Sequence, residues 1–143
     1  MRTVSRSAIV TYTPAQMFDL VADVERYPEF LPWCLSGELL SRDERELRGS
    51  LSMSQGPLHG SFTTRNELDY PRRMTLELEE GPFSDLIGEW RFEALGEAGC
   101  RISLDLRFAF SNKVKDALLG VMFEQTCNKL VDAFVQRAAQ VYG

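Results

Sequence analysis

NKVKDALLGVMFEQTCNKLVDAFVQRAAQVY, residues 112–142, holds no proline and a single glycine, Gly120, and its spacing predicts one long helix. In its second half Cys127, Leu130, Val131, Phe134, Ala138 and Val141 recur at three- and four-residue intervals, which makes a single apolar stripe. In its first half Leu118, Leu119, Val121, Met122 and Phe123 are apolar nearly all round, so that half is expected to be covered on more than one side. At 1.5 Å per residue the whole element is about 45 Å long, enough to cross a sheet from end to end.

What precedes the helix reads as short strands. Ile102, Leu104, Leu106, Phe108 and Phe110 alternate on one face. Residues 2–12 form a strand with Val4, Ala8 and Val10 on one side and Ile9 on the other. Thr13-Pro14 then opens a short helix, with Thr13 as N-cap, Pro14 at the first helical position and Met17, Phe18, Leu20 and Val21 as the apolar side. Pro28 disfavours helix at Tyr27 and ends that pattern. Residues 35–42 and 46–54 pair as a hairpin across Asp43-Glu44-Arg45. Leu58, Gly60, Phe62, Thr64, Asn66 and Leu68 share one face of the next strand; Met74, Leu76 and Leu78 share one face of another; Trp90 and Phe92 share one face over residues 86–95. One wet and one buried face per strand is the mark of an antiparallel sheet with a helix on one side. The expected class is α+β: a curved antiparallel sheet of about six or seven strands wrapped on the long C-terminal helix, in a single domain over residues 1–143.

The 143 residues carry a net charge of −5. That balance argues against broad binding to nucleic acid, and no DNA partner is expected. The three cysteines, Cys34, Cys100 and Cys127, are dispersed and odd in number, which suits a reducing compartment. The opening MRTVSRSAIV has no long apolar run, so no signal peptide is read there. No run of about 18 apolar residues exists.

A sheet curved round a helix leaves space, and space in a small protein holds ligands. The stretch Tyr27-Pro-Glu-Phe-Leu-Pro-Trp-Cys34 is a loop by its prolines yet is loaded with large apolar residues, including Phe30, Leu31 and Trp33. It is expected to fold onto the core or to line an opening. With Phe62, Met74, Trp90, Phe92, Phe108, Leu118, Met122 and Phe123 it makes a candidate apolar pocket, although plain core packing explains each of these residues singly. Asn66 falls on the same buried face. It is either bonded to neighbouring backbone or a polar anchor inside the pocket. His59, the one histidine, falls on the polar face of its strand with no partner implied by spacing. No metal-ligand spacing, glycine-rich phosphate loop or catalytic set is present, so no catalytic residue, metal or covalently bound cofactor is expected.

Val24–Cys34, with its Tyr-Pro-x-Phe-Leu-Pro-Trp-Cys, resembles the coenzyme Q-binding and ribosome-association toxin branch of the START-like superfamily. Phe62-Thr-Thr-Arg-Asn66, Gly81-Pro-Phe83, Leu86-Ile-Gly88, Trp90-x-Phe92, Cys100-Arg-Ile102 and Phe108-x-Phe-x-Asn-Lys113 extend the resemblance in order over nearly the whole chain. It implies a helix-grip fold with a hydrophobic tunnel, and an isoprenoid quinone such as ubiquinone as ligand, held in support of respiration. It also implies association with the large ribosomal subunit that hinders subunit joining, or a polyketide cyclase or dehydratase role. A cytoplasmic protein is implied, peripheral to the inner membrane through transient contact.

Overall fold

The computed structural model describes residues 1–143. In chain order the elements are β1 (Arg2–Val10), α1 (Pro14–Ala22), a 3-10 turn (Val24–Glu29), β2 (Cys34–Arg42), β3 (Glu46–Gln55), β4 (Leu58–Asp69), β5 (Arg73–Glu80), β6 (Phe83–Leu95), β7 (Gly99–Phe110), α2 (Lys113–Asn128) and α3 (Leu130–Tyr142). The strands form one sheet in the order β1-β7-β6-β5-β4-β3-β2, with every pair antiparallel. The expected α+β helix-grip architecture is therefore present, with seven strands.

Local chemistry sets the helix starts. The Thr13 hydroxyl accepts from Gln16 N at 3.1 Å while the Gln16 side chain accepts from Thr13 N at 2.9 Å, a reciprocal cap ahead of Pro14. Asn112 caps α2, accepting from Val114 N at 2.8 Å and Lys115 N at 3.3 Å. Asp116 in the first turn accepts from Phe110 N at 3.0 Å and ties the helix to the end of β7. Gly120 lies under Arg2 of β1: a Cβ there would collide with the guanidinium, which reaches Glu124 at 3.4 Å and the Asp116 carbonyl at 3.2 Å.

Three expectations are corrected. The C-terminal helix is not one continuous rod; it breaks at Lys129 between α2 and α3. The Thr126 hydroxyl sits 2.9 Å from the Met122 carbonyl and 2.6 Å from Gln55 Oε1, and Lys129 N bonds the Thr126 carbonyl three residues back. A hydroxyl bonding the carbonyl four residues back bends a helix, and a three-residue bond tightens it. The segment around Tyr27 is not an irregular loop: Val24–Glu29 is a 3-10 turn with Pro28 inside it, and Leu31 N and Phe30 N both bond the Tyr27 carbonyl. Finally, the first half of α2 is not covered on a second side. Val114, Leu118 and Val121 are 67%, 68% and 45% exposed. The Tyr27–Trp33 segment packs on α3 instead: Phe30 meets the Phe134 ring at 5.2 Å, and Glu29 pairs with Arg137 at 2.6 Å.

The core runs along β7, where Cys100, Ile102, Leu104, Leu106, Phe108 and Phe110 are all buried on the concave face. Phe123, Cys127, Val131, Phe134 and Ala138 of the two helix halves close over them. Burial pushes the Tyr27 phenol and the Cys127 thiol well up, and moves the Cys34 and Cys100 thiols in the same direction. Unfolded, these groups ionise near their ordinary values of about 8.5 for thiols and about 10 for phenols. Above those values the unfolded chain holds fewer protons than the native one, so stability complete at neutral pH is lost as pH rises. Urea unfolding is expected to show stability falling above about pH 8.5, where the unfolded Cys127 thiol ionises, and more steeply above about pH 10, where the unfolded Tyr27 phenol does, by at most about 1.4 kcal/mol per pH unit for each of these two groups. A flat profile would mean that these groups ionise without unfolding.

Candidate ligand-binding site

Between the sheet and the bend of the C-terminal helix lies a cavity of ≈ 90 Å³, lined by 16 residues of which 13 are hydrophobic. The sheet supplies Leu51, Phe62, Thr64, Asn66, Leu76, Leu86, Trp90 and Leu106; the helices supply Phe123, Thr126, Cys127, Leu130 and Phe134; Val24, Tyr27 and Trp33 complete it. A second hollow of ≈ 240 Å³ lies outside, among Leu31, Pro32, Trp33, Ser54, Gln55, Thr126, Lys129, Leu130 and Ala133. Trp33, Thr126 and Leu130 belong to both, so they form the partition between cavity and solvent. The 2.6 Å contact from Thr126 to Gln55 fastens that partition to the end of β3. A larger depression of ≈ 460 Å³ on the outer sheet face is open and edged by charged side chains such as Arg73, Glu77, Glu89, Asp105 and Arg107, which suits water rather than an apolar guest.

Of the residues expected at the pocket, Tyr27, Trp33, Phe62, Asn66, Trp90 and Phe123 line the cavity. Met74, Phe92 and Phe108 are fully buried behind its wall, while Leu31 lines the outer hollow. Phe30 backs the wall from outside, between Phe134 and the Arg137 guanidinium, whose centre lies 5.0 Å from its ring. Two expected positions fall away from the cavity. Leu118 precedes Phe123 by five residues, which at about 100° each puts it about 140° round the helix and into solvent. Met122 points to the β3–β4 turn, its methyl beside Gly56. Leu51, Leu76, Leu106, Leu130 and Phe134 were each legible as members of a buried face; Thr126 carried no signal, since its place depends on the helix bend.

The polar content of the cavity is small and specific. Asn66 is 4% exposed and its Oδ1 has no hydrogen-bond partner; its Nδ2 has only the Met74 sulfur at 3.7 Å. A buried amide oxygen without a partner is uncommon, and this one is free to accept a hydrogen bond. The Tyr27 hydroxyl, by contrast, is spent on the Val21 carbonyl, and burial keeps the phenol neutral. Cys127 is likewise held as the thiol. The cavity therefore offers hydrogen bonds but no group poised to exchange protons near neutral pH. His59 lies outside it, exposed, with Nδ1 3.2 Å from the Ser54 hydroxyl. No group of three His, Cys, Asp or Glu side chains is placed to hold a metal ion.

Trp33→Ala is expected to cost well under the about 3–5 kcal/mol of a fully buried Trp→Ala change, because Trp33 is only partly buried between two hollows. Its effect should fall on ligand exchange rates instead. Chemical denaturation of the protein, together with stopped-flow release of a bound apolar fluorescent probe, measures both; a full-burial loss would make Trp33 a core residue.

Comparison with known proteins agrees with this geometry. The family model described as polyketide cyclase / dehydrase and lipid transport matches residues 10–135. The chain is 47% identical over 140 residues to the ribosome association toxin RatA of Pseudomonas aeruginosa, covering 98% of this chain and 97% of that one. It is 27% identical over 144 residues to the mitochondrial coenzyme Q-binding protein COQ10 homolog B of Xenopus laevis, covering 97% of this chain and 59% of the other. In structure it is similar to a START superfamily protein from Mycobacterium smegmatis, with a TM-score of 0.80 at 21% identity over 97% of this chain and 98% of that one, which bears on the fold alone. Matched over most of its length by the family model and by a relative of nearly its own size, the chain belongs to the polyketide cyclase / dehydrase and lipid transport family, in the RatA-type branch.

Proposed function

We propose that this protein binds an isoprenoid quinone, ubiquinone or a close relative, without acting on it chemically. The observation that carries the reading is the under-used Asn66 amide inside an otherwise apolar cavity, its Oδ1 without a partner and its Nδ2 donating only to the Met74 sulfur at 3.7 Å. An amide is suited to both redox states of a quinone head. Its N–H donates to a quinone carbonyl, and its oxygen accepts from a hydroquinone hydroxyl. The prenyl tail then leaves through the Trp33–Thr126–Leu130 partition into the outer hollow, each buried CH₂ contributing about 0.8 kcal/mol. At ≈ 90 Å³ the inner cavity is smaller than the about 300 Å³ at which ligand pockets begin, so binding requires the partition to part and the two hollows to merge. The absence of a poised acid or base beside Asn66, Thr64 and Thr126 favours holding or delivering the ligand, as in support of respiration, over cyclase or dehydratase chemistry.

Both tryptophans of the chain, Trp33 and Trp90, line the cavity, so quinone binding should quench intrinsic fluorescence. Titration with a short-chain ubiquinone is expected to give saturable quenching, and mass spectrometry of lipid extracted from purified protein should identify the resident species. Unsaturable quenching together with a quinone-free extract would sink the reading.

A second reading is favoured by one specific observation, the 47% identity to a relative named for ribosome association. On this reading the protein binds the large ribosomal subunit and hinders subunit joining. With a net charge of −5 the contact would be local rather than a broad field effect. Co-sedimentation with purified large subunits at physiological salt tests it; protein left wholly in the supernatant argues against it.

A further inference from the structure

The Asn66 amide has two unlike ends, a donor and an acceptor, and only the donor is held. Its Nδ2 donates to the Met74 sulfur at 3.7 Å. Met74 is 1% exposed and does not line the cavity. The contact is long, yet it fixes the sense of the amide. A thioether sulfur accepts and never donates, so turning the amide over would set Oδ1 against the sulfur, acceptor against acceptor. Oδ1 is therefore the end turned away from Met74. Two buried side-chain atoms of the protein lack a hydrogen-bond partner, Arg2 Nε and Asn66 Oδ1, and only the second is an acceptor.

The other polar groups of the lining do not tell the redox states of a quinone apart. A quinone carbonyl only accepts, whereas a hydroquinone hydroxyl both accepts and donates. The Thr64 hydroxyl and the indole N–H groups of Trp33 and Trp90 are able to donate to the head-group oxygen of either form. The Thr126 proton is shared between Gln55 Oε1 and the Met122 carbonyl, and the Tyr27 proton goes to the Val21 carbonyl. A buried acceptor does discriminate. Asn66 Oδ1 gains a hydrogen bond from a hydroquinone hydroxyl and meets a quinone carbonyl as a second acceptor. To serve the quinone, the amide must turn over, give up the Met74 contact and bury its oxygen against the sulfur.

Resting on the reading of this cavity as a quinone site, we propose that it selects the hydroquinone over the quinone, with Met74 as the positioning residue that turns the Asn66 oxygen toward the ligand. Hydroquinone binding about tenfold tighter than quinone binding raises the two-electron midpoint potential of the bound couple by about 30 mV. Reactions that reduce the quinone then load the protein, and reactions that oxidise the hydroquinone unload it.

Displacement of a bound apolar fluorescent probe under argon, by a short-chain ubiquinone and by its hydroquinone, gives the two dissociation constants. The hydroquinone is expected to bind about tenfold or more tightly than the quinone. Met74→Leu conserves volume and removes the sulfur. The amide then turns without opposing an acceptor, so this variant should bind the quinone more tightly and bring the ratio to about threefold or less, with hydroquinone binding within about twofold of wild type. A merely structural role for Met74 would weaken both forms together. Asn66→Leu should weaken both forms and bring their ratio close to one. Circular dichroism confirms that each variant is folded, and Met74→Leu, which keeps the amide, decides independently of Asn66→Leu. The proposal is overturned if wild-type protein binds the two forms alike or prefers the quinone, which would leave the cavity a quinone site without redox selectivity. It is also overturned if the preference persists in Asn66→Leu, or if Met74→Leu leaves the ratio unchanged. Displacement by neither form removes the quinone reading itself, and the selectivity with it.

Discussion

Asn66→Leu is expected to stabilise the ligand-free protein and at the same time to weaken quinone binding by tenfold or more. The two effects share one cause. Asn66 is 4% exposed, its Oδ1 has no partner, and its Nδ2 has only a long contact to the Met74 sulfur. Leaving a buried polar group unsatisfied costs about 1–3 kcal/mol, whereas an apolar residue of similar shape carries no such penalty. Leucine is close to asparagine in shape and would meet Phe62, Trp90 and Leu106 across a cavity already apolar. A gain of about 1 kcal/mol in urea unfolding is therefore expected once imperfect packing is allowed for. In the complex the sign reverses, because a quinone carbonyl buried without its donor loses a hydrogen bond and gains nothing in return. Tryptophan quenching by a short-chain ubiquinone reads the second half. Destabilisation by 2 kcal/mol or so, with affinity unchanged, would show that the amide is a structural group and would remove the head-group anchor.

Much of the fold was legible because alternation and helical spacing report directly on which face is buried. Ile102, Leu104, Leu106, Phe108 and Phe110 follow a strict period of two, and all five are buried in β7. Thr13-Pro14 marked the start of α1 because capping and a proline-compatible first position are properties of adjacent residues. What was not legible depends on distant partners. The bend at Lys129 involves the contact between Thr126 and Gln55, which are 71 positions apart. Leu118 and Met122 read as pocket residues because apolar composition says that a side chain is suited to cover, not that a neighbour supplies it; the Tyr27–Trp33 segment went to α3 and left that face of α2 open. The cavity was half legible for the same reason. Tyr27, Trp33, Phe62, Asn66, Trp90 and Phe123 line it, while Phe92 and Phe108, on the same strand faces, are covered by Phe18 and Phe123. A period of two locates a face and carries no information about which stretch of that face a helix covers.

Gly37→Ala should be among the most destabilising single substitutions in the chain, at about 3 kcal/mol or more, because it lifts the segment that roofs the cavity. Gly37 lies in β2 directly beneath the Val24 carbonyl; a Cβ at that position would overlap the oxygen and carbon of that backbone group. Neither is the end of a flexible side chain, so the 3-10 turn as a whole must move. That turn carries Val24 and Tyr27 in the cavity lining, and through Glu29 it is held to Arg137 of α3 at 2.6 Å. Displacing it uncovers Tyr27, now 9% exposed, and breaks the bond from its hydroxyl to the Val21 carbonyl. A matched comparison isolates the backbone collision. Gly49, on the neighbouring strand β3, faces the same residue, but a Cβ there would meet Val24 Cγ2 at 3.5 Å, an ordinary contact. Gly49→Ala is therefore expected to change stability by under about 1 kcal/mol. Urea unfolding of the two variants with near-ultraviolet circular dichroism of the aromatic residues decides the matter. If Gly37→Ala unfolds within about 1 kcal/mol of wild type and still shows saturable quinone quenching, the 3-10 turn is free to shift and does not hold the cavity closed.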